Sequence, residues 1–280
     1  TDSVTDGNVT FNRLVSGSAN LTVNAGTGGN ISAQNLISLG GAGGLSTTGN
    51  NITLRQVVAN AGLTVSGRNA VTFAGTVSSA GVISISANQD GVGGEGFNQS
   101  AGDINTSLGI PFGPGEVTIR VNTPSGGTGG ATVRNIVVGA LGNVELRTTG
   151  LDDVGGPIRD GNGPGQLNVT TGGGALSAFA GIGGIDLDTQ VGVVYFIVDS
   201  GKSLGDAKFR NSGFNLGLLG GSPSQTDNGS IFISNTFNGD FTANDSLIAN
   251  GTGKNITIIA EGPNADVAVS ANPFAKMVAL

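Results

Sequence analysis

One short unit recurs along this chain: a small residue or Asn, an aliphatic, a small polar residue, and a second aliphatic. Asn8-Val9-Thr10-Phe11, Asn30-Ile31-Ser32-Ala33, Asn51-Ile52-Thr53-Leu54 and Ala70-Val71-Thr72-Phe73 are early copies, and Asn255-Ile256-Thr257-Ile258 is a late one. The period of two makes each copy a short strand with its aliphatics on one face and its Thr or Ser on the other. Gly and Asn between copies supply the positive-φ positions of tight turns. Thr10, Ser32, Thr53 and Thr72 follow one another at intervals near 20 residues, and Thr64, Ser84 and Asn105 form a second such series. A coil of about 20 residues cannot bury its own aliphatics, but stacked coils can. The spacing therefore predicts an all-β fold, a right-handed parallel β-helix of about 20 residues per coil over 1–280. At ~4.8 Å per coil, ~14 coils would make a rod of ~65 Å. An antiparallel sandwich would need longer strands joined by hairpins.

Three stretches break the period: 88–101, 148–165 and 199–229. Each is rich in Gly and polar residues and reads as a loop extruded from the coils. Val193–Val198 is an almost unbroken apolar run, as in a strand covered on both faces, and the 199–229 insertion is expected to fold back over it.

Composition closes several routes to chemistry. There is no Cys and no His. That removes disulfides, thiolate metal sites, the commonest general base and any serine–histidine triad. A net charge of −7 with 12 scattered Lys and Arg offers no basic cluster for nucleic acid. No apolar run approaches the ~20 residues of a membrane helix. The N-terminal residues do not read as a signal peptide, so any export signal is expected to be removed already or to lie outside this chain.

The units GGNIS (28–32), GNNITL (49–54), GDINTS (102–107) and GKNITI (253–258) resemble the β-helical shafts of filamentous-haemagglutinin-like exoproteins. They are also similar to the large Gly/Asn-rich β-strand-repeat surface proteins of bacteria. The resemblance implies export to the extracellular space or cell surface, and a role in adhesion, surface coating or fibre formation. It brings no catalytic residues, and no enzyme activity is expected.

Four further patterns carry candidate chemistry. Asp152, Asp153 and Asp160, with Asn162, occupy a Gly-rich loop, and oxygen-only ligands on a flexible loop are what Ca²⁺ prefers; a solvated loop without cofactor is the competing reading. Asp186 and Asp188 share one face of a strand, as paired carboxylates of a polysaccharide-cleaving β-helix would, but the aromatic platforms that hold sugars are scarce at 5%. Outward Thr and Ser at 10, 22, 32, 53, 64, 72, 84 and 118 could line up as a hydroxyl ladder able to order water, or form a plain solvated face. The Asn-x-Ser/Thr triplets from Asn8 to Asn255 are glycosylation acceptors in form, and equally a by-product of the repeat. The expected partners are copies of the chain end to end, because neither terminus reads as a polar cap, or surface glycans and proteins.

If the loop carrying Asp152, Asp153 and Asp160 holds Ca²⁺, chelator lowers the melting temperature, since a ligand of the folded state stabilises it. Superimposable melts with calcium and with chelator retire that reading in favour of the solvated loop.

Overall fold

In a computed structural model, the structure describes residues 6–106, 115–122, 126–149, 154–199, 205–213, 215–219, 223–236, 239–269 and 277–279. Among them there are strands and no helix, and hence none long and apolar enough to cross a membrane. The strands form two sheets of 16 and 14 strands, and every pairing between named strands is parallel. The chain is a parallel β-solenoid of about 10 turns. Over much of its length each coil lays down three strand segments, two on the larger sheet and one on the smaller, as in Val71–Ala74, Val77–Ser79 and Ile83–Ala87.

The register shows why the repeat has its form. Val9, Ile31, Ile52, Val71 and Phe97 stand one above another, as do Leu21, Leu45, Leu63, Ile83, Val117 and Val144 on the smaller sheet. The alternation of buried aliphatics with outward polar residues is plain in strands such as Ile83–Ala87. Of the aliphatics expected inside, Ile31, Ile52, Leu54, Leu63, Val65, Val71, Phe73, Val117 and Ile119 are fully buried. Val9, Phe11, Ile256 and Ile258 are only partly buried against the same core. They belong to the first and last coils of the larger sheet's ladder, and that ladder places a strand on only one side of them.

Asparagine sets the corners. Asn30 donates its backbone N–H and its Nδ2 to Asn8 Oδ1, and Asn51 does the same to Asn30 Oδ1, so one side chain per coil satisfies the turn of the next. Later in the chain the device moves indoors. Asn211 is 1% exposed; its Oδ1 accepts from Thr189 Oγ1 and the Val191 N–H, and its Nδ2 donates to Val191 O and Asn235 Oδ1. Such buried amides are stable only when fully paired. Asn168, an acceptor triplet by sequence, is also wholly buried, so its place is structural. Gly102 turns at φ +69°, and a Cβ there would lie 2.3 Å from the Gly75 carbonyl carbon of the coil below; the approach between coils requires glycine.

Coil length departs from the expected 20 residues. Leu45 stacks on Leu63, 18 residues on, but Ile83 stacks on Val117, 34 residues on. The mean is about 24 residues, giving about 10 turns rather than 14, and so a rod of ~48 Å at ~4.8 Å per coil. The series Thr10, Ser32, Thr53, Thr72 is a true column. In the second series Ser84 does stack on Thr64, but Asn105 does not follow: it pairs with Ser78 on the larger sheet, and Thr118 takes its place above Ser84. A long insertion between the two strands had displaced the period.

The three irregular stretches are not simple extruded loops. Phe97–Ala101 and Ile158–Asp160 are rungs of the larger sheet, and Ala207–Ser212, Leu216–Leu218 and Ser224–Thr226 continue the ladders. Their Gly and polar residues obscured short strands whose inward positions are filled by Phe97, Ile158, Phe209 and Leu216. Val193–Val198 is likewise not covered by 199–229 among the described residues. Val194, Phe196 and Val198 point inward while Val193, Tyr195 and Ile197 lie on the partly exposed outer face. Leu216–Leu218 and Ser224–Thr226 pair with its edge, side by side.

Two substitutions in the stacked interior are expected to have opposite signs. Ile52→Asp places an unpaired charge in the core and abolishes cooperative unfolding. Thr47 lies in the core column between Val23 and Val65, and its buried Oγ1 has no hydrogen-bond partner among the described residues. Thr47→Val keeps the shape and removes the orphaned hydroxyl, so it raises stability by about 1 kcal/mol. Urea denaturation of both variants beside the parent checks the pair.

Candidate functional site

The outward positions of the smaller sheet form two columns that run from coil to coil. One reads Thr22, Ser46, Thr64, Ser84, Thr118, Glu145, Ser177, Tyr195; the other reads Asn24, Thr48, Ser66, Ser86, Arg120, Arg147, Phe179, Ile197. The hydroxyl ladder expected from single residues is thus real at Thr22, Thr64 and Ser84, while Thr118 continues the column but is buried, its hydroxyl donating to Glu116. It is doubled by Thr48, Ser66 and Ser86. Thr10, Ser32, Thr53 and Thr72 form a separate column on the larger sheet.

At its C-terminal end this face changes character. The Phe179 and Tyr195 rings meet edge to face with centroids 5.5 Å apart, and the Arg147 guanidinium carbon lies 3.8 Å from the Phe179 centroid. Such contacts hold the rings and the cation in fixed relation. Arg120 Nε donates to Glu145 Oε1 at 2.9 Å, and Arg147 Nε stands 3.5 Å from the same oxygen. The hydrogen bond and charge of Glu145 hold the Arg120 pKa above its ordinary value. Both arginines engage Glu145 through Nε. Glu116 Oε1 accepts from Thr118 beside them. The patch therefore combines two cations, two anions and two partly exposed rings on a flat face. Five other phenylalanines, Phe73, Phe97, Phe196, Phe209 and Phe241, are sealed in the core.

Of the calcium candidates, Asp152 and Asp153 lie outside the described residues. Asp160 Oδ1 accepts from the Asn162 and Gly163 N–H groups and from Asn168 Nδ2, closing the turn that follows its strand. Among the described residues no group of three carboxylates is close enough to hold a metal ion. Asp186 and Asp188 do share a face, and one arginine engages both: Arg210 Nη2 is 2.7 Å from Asp186 and Nε 2.5 Å from Asp188. Burial lowers the Arg210 pKa, and the hydrogen bonds it donates to Asp188 and Asp186 more than offset this. Asp188 also accepts the Gly165 N–H. Asp160, Asp186, Arg159 and Arg210 line one open depression. The structure thus brings together members of two sequence candidates, but around guanidinium groups that compete with a cation for the carboxylates. The register carried the aromatic patch where spacing alone could not, because its members come from four successive strands of the smaller sheet. The one available signal was the outward half of the apolar run, Val193, Tyr195 and Ile197.

Comparison with family models, with curated proteins and with solved structures finds no match for the chain.

The ion pairs predict a graded response. Arg210→Met leaves Asp188, whose side chain is 6% exposed, without its cation and costs about 2 kcal/mol. Asp186→Asn alters a half-exposed partner and costs under about 1 kcal/mol. Denaturant midpoints order the two; equal effects would contradict the assignment of Asp188 as the buried anchor.

Proposed function

We propose that the chain is a segment of a structural or adhesive β-solenoid shaft, displayed outside a bacterial cell like the exoproteins its repeats resemble. The observation that carries this reading is the continuous stack of coils. Ladder and core run through the described coils, and the coil edges at either end keep apolar side chains half covered: Val9, Phe11 and Leu21 at one end, Ile256 and Ile258 at the other. A coil edge whose strand groups are not paired within its own chain accepts another strand, and a head-to-tail contact of copies at such an edge extends rather than closes. The lateral surfaces support a shaft with contact faces more than a catalytic cleft, since the paired carboxylates Asp186 and Asp188 are bridged by Arg210. The strand Met277–Ala279 pairs with Leu247–Ala249 and so lies at the C-terminal edge.

The expected outcome is concentration-dependent, end-to-end association, seen as lengthening rods in negative-stain images and as rising mass in sedimentation. Deleting 273–280 changes the C-terminal edge, weakens association, and leaves the middle coils folded. A strictly monomeric chain at high concentration contradicts the assembly reading.

A further inference from the structure

The outward face of the smaller sheet carries a ligand chemistry that a shaft alone does not require. We infer that this face binds a neutral polysaccharide strand lying along the solenoid axis, with one sugar on the Phe179–Tyr195–Arg147 platform and its neighbours over Arg120 and the hydroxyl columns of Ser84 and Ser86. This rests on the adhesive reading above and names its partner.

Three observations select that ligand. A pyranose has a C–H face that packs on an aromatic ring and a hydroxyl rim that wants charged donors and acceptors. Tyr195, set edge to face against Phe179, supplies the first, while the guanidinium groups of Arg120 and Arg147 and the carboxylates of Glu145 and Glu116 supply the second. The coil rise of ~4.8 Å is close to the length of one sugar, so a strand along the axis meets one pair of outward side chains per coil. The charges of the patch balance and the chain as a whole carries −7, which disfavours an acidic polymer by long-range repulsion.

A protein partner fits the same face poorly. The strands beneath it, from Leu45–Gly49 to Val193–Val198, are paired on both edges, so a peptide cannot add as a further strand. One aromatic pair on a hydroxylated plane is also far short of the clustered anchors of a protein interface of ~800 Å² per side.

The test titrates the intact chain with neutral hexasaccharides of glucose, galactose and mannose, with polygalacturonate as the acidic comparator, by calorimetry at low and high salt. At least one neutral hexasaccharide binds with a dissociation constant on the order of 1 mM or tighter, and salt leaves it unchanged. Tyr195→Ala and Arg147→Ala each weaken binding about tenfold with the melting temperature preserved. Tyr195→Phe retains most of it, and Thr53→Ala on the other sheet changes nothing. Tighter, salt-sensitive binding of polygalacturonate overturns the inference, as does binding indifferent to Tyr195→Ala, or no neutral binding at millimolar concentrations. Rods that remain intact without binding any sugar sink the glycan site and leave the shaft standing; loss of the rods themselves counts against the shaft.

Discussion

The fold depends on the parallel backbone ladder between consecutive coils. A strand of three to six residues in a coil of this size has no stable existence alone. Its N–H and C=O groups are satisfied by the coils above and below, and its aliphatics are covered only when the neighbouring coil presents aliphatics at the same rung. Once the ladder holds, side chains repeat vertically. Core columns such as Ile31, Ile52 and Val71 and surface columns such as Thr64 and Ser84 are the same constraint seen from the two faces of a strand. The stacked amides at the corners extend it to the turns, where no strand pairing exists.

That constraint makes the surface programmable. An outward position can change identity without disturbing the core, so one column passes from Thr and Ser through Glu145 to Tyr195, and its neighbour from Ser86 through Arg120 and Arg147 to Phe179. The solenoid thereby assembles a composite patch from residues far apart in sequence, at a spacing set by the ladder. The shaft and the contact face are consequences of one geometry.

Much of this was legible in the sequence where the coils are short. Thr10, Ser32, Thr53 and Thr72 betrayed their stacking because nothing intervenes to change the period. Legibility failed where insertions lengthen a coil. Asn105 keeps a 21-residue interval from Ser84, yet the intervening chain carries Phe97–Ala101 into the larger sheet, so Asn105 lands on a different face from Ser84. The strands in 199–229 were hidden because their outward positions carry Lys208 and Arg210, and their turns are rich in Gly and Ser. The aromatic patch was invisible for a further reason: a 5% aromatic content suggests no platform until the register puts Phe179 on Arg147 and one strand from Tyr195. Asp186 and Asp188 were read correctly as sharing a face, but the arginine that bridges them comes from the next coil.

Coil register is thus the central claim, and the absence of native cysteine allows it to be tested without background. Neighbouring parallel strands bring paired Cα atoms within disulfide range, usually about 4.4–6.8 Å. The double variant Ser84→Cys, Thr118→Cys is predicted to oxidise to an intramolecular disulfide in the folded chain, while Ser84→Cys, Asn105→Cys stays reduced under the same conditions. A crosslink between 84 and 105, with none between 84 and 118, would contradict the stacking on which both the shaft and its contact face rest.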